Sequence, residues 1–312
     1  MVVEPHNLTL QPSDGNNRAV GPLVVVGEVL WDVFPDSACL GGAPLNFAAH
    51  AARLGLYPIL ISAVGADELG ERAAREISAF GLDASMLRKS SRWSTGTASV
   101  VVDGDGQPAF RIPRPAAYDD LCITCAELQV LRTKDPSWLY YGTLFPSTPE
   151  GRTTLQRLLD SVPRAVRFYD VNLRPGFDSL DLAADLLASA NVVKLNEFEA
   201  QAVSRFLGLP SDAESFCRSG TVRFGWRAVC VTLGDRGCAM FDGKEFVHAD
   251  GEKIKVADTV GAGDAFAAAF LYGLTNQWPV PRIARFANRL GALVASRAGA
   301  IPDWNMVEAT TI

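Results

Sequence analysis

The sequence predicts an α/β fold with a mostly parallel central sheet and a small β lid, and three observations predict it. Short, continuous apolar runs rich in β-branched residues alternate along the chain with longer alanine- and leucine-rich segments. Glycines close the segments that read as helices. One pair of strand-like runs around an Asp-Gly-Asp-Gly turn interrupts the alternation, as an attached hairpin would.

The elements follow in order. Residues 23–26, Leu-Val-Val-Val, form a run short enough for a buried parallel strand, ended by Gly27. Residues 43–54 read as a helix, because Ala48, Ala49, Ala51, Ala52 and Leu54 favour one and Gly55 stops it. A second strand over 58–64 and a second helix over 68–80, closed by Gly81, repeat the unit. The runs 95–103 and 109–113 flank Asp103-Gly104-Asp105-Gly106 and predict the hairpin. Alternation then resumes: strand 138–141, helix 150–161, strand 166–172, helix 179–189, strand 192–195, helix 198–207, strand 228–233, and helices at 264–272 and 282–297. Residues 1–21 are mostly polar, with Pro5, Pro12 and a Ser-Asp-Gly-Asn-Asn cluster, and read as a tail ahead of one domain over 22–312.

Composition narrows the function classes. With 48% hydrophobic and 21% charged residues, the 312-residue chain reads as a globular protein and not as a fibrous or disordered one. Lys and Arg number 29 against 35 Asp and Glu, a net charge of −6, which disfavours nucleic acid held along a broad surface. A small anion can still be held by backbone amides and one or two cations. No apolar run approaches the ~20 residues of a membrane span; the candidate over 265–274 is too short. No signal-peptide pattern opens the chain, and six scattered cysteines read as reduced, largely buried thiols of a cytoplasmic protein. Cys122-Ile-Thr-Cys125 lacks a second pair to complete a zinc set, so it reads as two thiols at a helix start.

The candidate chemistry sits at strand ends and helix starts. Asp258-Thr-Val-Gly261-Ala262-Gly263-Asp264 feeds an alanine-rich segment, so the first-turn amides and the helix dipole make an anion site. Asp264 at its mouth is placed to accept a proton from an attacking hydroxyl, although Asp is equally a preferred N-cap. Gly41-Gly42-Ala-Pro-Leu-Asn46 opens another helix, where the glycines admit a ligand and Asn46 offers a donor and an acceptor to hydroxyls. Asp32 follows the first strand, and ligands of open parallel sheets collect at carboxyl ends, although taken singly these two segments read equally as a capped helix start and a solvated Asp. Asp170, Asn172 and Arg174 alternate and would point one way if extended. Lys194-Leu-Asn196-Glu-Phe-Glu199 joins a strand to a helix; Glu199 could hold a hydrated magnesium ion or close a capping box on Asn196. Thr232-Leu-Gly234-Asp-Arg-Gly237 is a strand running into a glycine turn fit to pass a nucleotide. No Gly-x-Gly-x-x-Gly follows the first strand, which argues against a dinucleotide enzyme.

Taken together, these motifs resemble the PfkB, or ribokinase-like, family of carbohydrate kinases. Gly41–Gly55 looks like the family's N-terminal signature and Asp258–Asp264 its C-terminal one, with the likeness running from about residue 23 to 302. The resemblance implies a three-layer sandwich with a β lid built from about 33–40 and 95–119, and phosphoryl transfer from MgATP to a sugar hydroxyl. It implies Asp264 as base and Gly261, Ala262 and Gly263 as the anion hole. Asp32, Gly41, Gly42, Asn46 and Arg174 would hold the sugar. Lys194, Asn196, Thr232, Gly234, Gly237 and Asn288 would serve ATP, and Glu199 magnesium through water. Many members bind potassium, here matched by Asp258 and the carbonyls of Val260, Val294, Arg297 and Gly299. Fructokinases are the most similar members, with 2-keto-3-deoxygluconate kinases (through Arg174 or Arg111) and nucleoside kinases as alternatives; a non-catalytic binding protein is a different class of reading. The resemblance implies a monomer or a homodimer paired through the lid.

Overall fold

A computed structural model describes residues 21–34, 37–102, 108–174 and 179–311. The tail over 1–20 and the turn over 103–107 lie outside the described residues, as does Pro175. In chain order the elements are β1 (Leu23–Val26), β2 (Leu30–Phe34), β3 (Ser37–Gly41), α1 (Ala43–Arg53), β4 (Pro58–Gly65), α2 (Glu68–Ala79), β5 (Asp83–Ser90), β6 (Gly96–Val102) and β7 (Pro108–Arg111). Then come α3 (Cys125–Lys134), β8 (Trp138–Tyr141), α4 (Pro149–Ser161), β9 (Val166–Asp170), α5 (Leu180–Ser189), β10 (Val192–Asn196), α6 (Glu197–Leu207) and α7 (Ala213–Phe224). The chain ends with β11 (Ala228–Thr232), β12 (Cys238–Phe241), β13 (Phe246–Ala249), α8 (Ala262–Thr275), α9 (Val280–Ala295) and α10 (Met306–Thr311).

Nine strands form one sheet in the order β13-β12-β11-β10-β9-β8-β1-β4-β5. It is parallel from β11 through β5, and the β11-β12-β13 edge is antiparallel. Period-two alternation buries both faces. In β1, Leu23 and Val25 pack into a core with α1, α8 and α9, while Val24 and Val26 pack into a second core with α4, α5 and α7. The result is the three-layer sandwich, with helices on both sides of the sheet.

Four strands form a separate small sheet, β3-β2-β6-β7, in which β2 runs parallel to β6 and the outer pairs are antiparallel. The expected strand at 33–40 is therefore an antiparallel pair, beginning at Leu30. This sheet is tied to the sandwich at Thr95, whose hydroxyl and amide both donate to the Asp67 carboxylate, at 2.6 and 2.8 Å.

Two expectations fail in the described residues. The cysteines are not uniformly buried: Cys217, Cys230 and Cys238 are, but Cys39, Cys122 and Cys125 are exposed. Asp170, Asn172 and Arg174 do not share an extended face, because β9 ends at Asp170 and Asn172 takes a φ of 40°. Among the described residues no helix is long and apolar enough to cross a membrane.

Candidate active site

From β1 the chain goes outward through β4 and β5, then returns to place β8 on the other side of β1. The carboxyl ends of β1, β8 and β9 therefore flank a topological switch point, where the connections diverge and leave a crevice. A cavity of about 270 Å³ lies there. Glu28 enters it from beyond β1, Leu144 from beyond β8, and Asn172 and Arg174 from beyond β9. Asp32 and Ala98 reach it from the small sheet, with Ile112 just past β7. Gly42 and Asn46 at the start of α1, with Thr259, Val260, Gly261, Gly263 and Asp264 before and within α8, complete its wall.

A second cavity, of about 670 Å³, opens beside it. Thr232 at the end of β11, with Gly234 and Gly237 after it, forms one wall, and Phe266, Asn288 and Ala292 on α8 and α9 the other. Asn288 donates to the carbonyls of Ala249 and Asp250, at 3.1 and 3.0 Å, fixing the turn that closes this wall. Thr259 and Gly263 line both cavities, so the two meet at the start of α8.

That helix start is built as an anion site. α8 begins at Ala262, two residues earlier than expected, and Gly261 is its N-cap with a φ of 79°. A Cβ at Gly261 would lie 2.3 Å from the Ala300 carbonyl oxygen, so only glycine fits both the angle and the contact. Asp264 is not the cap; it sits in the first turn, and its Oδ2 accepts from the Asn46 side-chain amide at 2.8 Å. Burial, with the charge of Asp170, pushes the Asp264 carboxyl up to about 7, against the pull of Asn46, Lys194 and Arg174.

Lys194 approaches from β10. Its Nζ would stand 3.8 Å from a Cβ on Gly263 and donates to both Asp170 oxygens, at 2.9 and 3.1 Å. Tyr140 donates to the same carboxylate at 3.1 Å. Burial alone would lower the Lys194 pKa, but Asp170 more than offsets it and the ammonium is held above its usual range. A fixed positive charge therefore stands beside the helix start.

The smaller cavity holds unpartnered acceptors. Glu28 Oε2 and Asn46 Oδ1 are buried without hydrogen-bond partners. Asp32 Oδ2 and Asn46 Oδ1 converge over Gly41, at 2.8 and 3.8 Å from where its Cβ would stand. Burial pushes Glu28 up to about 7 and Asp32 up to about 6, opposed in both by Arg174. Arg111, by contrast, is exposed and does not line the cavity.

The remaining expected residues are placed as follows. Asn196 and Glu199 form a reciprocal capping box on α6, and Glu199 also accepts from the Leu173 amide at 2.8 Å. Asn196 pairs with Thr232 in the sheet register, beside the larger cavity. Asp258 accepts from the Val260 and Gly299 amides at 3.0 and 3.1 Å, and the Arg297 amide donates to the Val294 carbonyl. Asp258 thus ties Val260 and Gly299 into one loop, and its amide donates to the Ala295 carbonyl at the end of α9, beside Val294 and Arg297 in sequence. Among the described residues, no group of three or more Asp, Glu, His or Cys side chains is arranged to hold a metal by itself.

Glu28 and Thr259 were not singled out from the sequence. Glu28 carried a signal: it is the one charged residue in the apolar run from Leu23 to Trp31.

Comparison with known proteins places this arrangement. The model of the pfkB family carbohydrate kinases matches residues 36–306. Fructokinase-1 of Oryza sativa subsp. japonica is 30% identical over 309 residues, spanning 90% of this chain and 94% of that protein. A fructokinase of Salmonella typhimurium is 31% identical over 296 residues, with 89% and 94% covered. Among solved structures, a fructokinase from Vibrio cholerae O395 with fructose, ADP and calcium bound superposes with a TM-score of 0.77 at 25% identity, covering 93% and 98%. An ATP-bound fructokinase from Xylella fastidiosa gives 0.81 at 21% identity, over 92% and 96%, a likeness of fold. This chain belongs to the pfkB family of carbohydrate kinases.

Proposed function

We propose that this sugar kinase transfers the γ-phosphoryl group of ATP to the primary hydroxyl of a neutral sugar, with D-fructose the preferred acceptor and fructose 6-phosphate the product. The observation that carries the reading is the meeting of the two cavities at Thr259 and Gly263, next to Asp264. A hydroxyl in the smaller cavity and a phosphate chain in the larger one would approach each other only there.

Asp264 takes the hydroxyl proton as the oxygen attacks, and Asn46 fixes the carboxylate for it. The first-turn amides of α8 and the Lys194 ammonium stabilise the charge on the transferring group. ADP leaves as the bond to the γ-phosphorus breaks. Thr232, Gly234, Gly237 and Asn288 flank the nucleotide. The small sheet, which contributes Leu30, Asp32 and Ala98 to the sugar cavity, acts as a lid that excludes water.

A magnesium ion usually binds through one or two carboxylates plus substrate phosphates, so the absence of a three-residue cluster among the described residues is compatible with it. Glu199 fits as a ligand through water, since each of its oxygens accepts a single backbone bond and retains a lone pair. When bound, the ion neutralises phosphate charge. Asp258 and the carbonyls of Val260, Val294, Arg297 and Gly299 would be the residues to hold a potassium ion.

A neutral acceptor is supported by charge. Among the described residues, Glu28, Asp32 and Asp264 face the sugar cavity together with the Arg174 guanidinium. A keto-acid sugar would add a fourth carboxyl group to a cavity already holding three, and Arg111 is too exposed to offset its charge. The unpartnered oxygens of Glu28 and Asn46 instead await hydroxyl donors. Fructose is supported by the fructokinase names of relatives near 30% identity. The test is ADP release from MgATP across fructose, ribose, glucose, 2-keto-3-deoxygluconate and adenosine, with and without potassium. Fructose should lead; dominance of the keto acid would overturn the neutral-sugar reading.

A further inference from the structure

Asn46 and His50 are four residues apart on α1, so they stand one above the other on the same helix face. Asn46 reaches Asp264. His50 is fully buried, and its Nε2 lies 3.0 Å from the Ala300 carbonyl oxygen. On the other side of the ring, the Trp304 indole N–H donates to Nδ1 at 3.0 Å. An indole nitrogen can only donate, so Nδ1 must be the bare nitrogen. Nε2 then carries the proton and donates it to Ala300. Burial holds the ring neutral, with its pKa lowered to about 4.

Ala300 is not an arbitrary acceptor. Its backbone is packed against Gly261, leaving no room for a Cβ there. The same loop carries Gly299, tied to Asp258, and Pro302, whose carbonyl accepts from Arg53 at 2.5 Å. Arg53 also lies over the Trp304 ring, 5.5 Å from its centroid. One face of α1 therefore grips both sides of the start of α8: the base directly, and the wall behind its N-cap through a histidine of fixed tautomer.

We propose that His50 is a positioning residue for phosphoryl transfer: its Nε2–H, set by Trp304, holds Ala300 against Gly261 and so aligns the anion hole with Asp264. This inference rests on the kinase reading above. It is chemically distinct from packing, because it needs a donor at Nε2 and not merely a ring-sized side chain.

The test uses the full chain as wild type, His50→Leu, His50→Gln and Trp304→Phe. Leu and Gln both fill the site, but only Gln can donate. Turnover and both KM values are measured, together with amide hydrogen exchange of peptides covering 259–263 and 298–304. His50→Leu should lower kcat by about 10- to 100-fold, the scale of a ~1 Å misplacement, with both KM values within a few fold and faster exchange in both peptides. His50→Gln should restore kcat to within a few fold of wild type and slow the exchange again. Trp304→Phe, which keeps volume but removes the donor to Nδ1, should speed exchange over 298–304 and lower kcat a few fold; it carries the test if His50→Leu does not fold. Equal behaviour of Leu and Gln, or a kcat loss with unchanged exchange, would overturn the proposal. If the wild type transfers no phosphate to any sugar, the kinase reading fails on its own, while the exchange contrast still judges the contact.

Discussion

Asn46 donates its amide to Asp264 at 2.8 Å across 218 residues of sequence. The bond joins the first helix to the eighth and sets one carboxylate oxygen of Asp264. It also links the smaller cavity to the meeting point of the two. On the function proposed above, substrate recognition and proton transfer would share this one hydrogen bond.

Removing the base should separate chemistry from binding. Asp264→Asn keeps the shape and loses the proton acceptor, so kcat should fall by roughly 10²–10⁴-fold. ATP affinity by calorimetry should stay within a few fold. Wild-type turnover in this variant would remove Asp264 from its assigned role.

The pH profile should report the same group. Burial raises Asp264 to about 7, so kcat/KM should rise as pH increases through about 7 and level off above it. Stability should run the opposite way. A carboxyl with a folded pKa above its unfolded value of 3.8 binds more protons when folded in the window between the two. Its contribution is therefore full below about 4 and is lost as pH climbs towards 7. Asp264→Asn should melt a few degrees above wild type at pH 8, with the gap closing as pH falls towards 4. Thermal melts across that range decide it.

Sugar contacts should appear in KM. Asp32→Ala removes a partner of a bound hydroxyl, worth ~0.5–3 kcal/mol, so the sugar KM should rise by a few fold to about a hundredfold while the ATP KM holds. Glu28→Gln should weaken the bias against acidic sugars, read as a smaller ratio of kcat/KM for fructose over 2-keto-3-deoxygluconate. An unchanged ratio would take Glu28 out of specificity.

The Lys194–Asp170 pair offers a stability test. Asp170 is 1% exposed and Lys194 7%. Lys194→Met leaves a buried carboxylate without its cation, which typically costs about 3–5 kcal/mol. The double variant Lys194→Met/Asp170→Leu should regain most of the lost stability in urea melts, yet remain slow, because the cation beside Gly263 is still missing. Recovery of turnover in the double variant would contradict the assigned role of Lys194.

Much of the fold was legible because the buried parallel strands are written plainly: Val24, Val25 and Val26 in β1, or Val229, Cys230 and Val231 in β11, face apolar layers on both sides. Edges were not. β5 carries Arg88 and Lys89 at the rim of the sheet and so lacks an apolar run, and β12 and β13 are four residues each. α7 mixes Glu214, Arg218 and Arg223 with few buried positions and gave no clear stripe. In the site, glycine turns and helix starts were readable from residue type and spacing. Glu28 stood out only as the one charge in an apolar run; that it faces the cavity with an unpartnered oxygen is visible only in three dimensions. Asn172 misled because a positive φ breaks the two-residue alternation that its neighbours imply. His50 gave no signal at all, since its partners Ala300 and Trp304 lie some 250 residues away.

The most direct measurement is phosphorus NMR of a reaction containing the protein, MgATP and D-fructose, followed to completion. Stoichiometric conversion of ATP to ADP and a phosphate monoester on the C6 oxygen is the predicted result, with little free phosphate. Free phosphate as the main product, a phosphate on another oxygen, or unconsumed ATP would contradict the claim that the two cavities meet to pass a phosphoryl group to that hydroxyl.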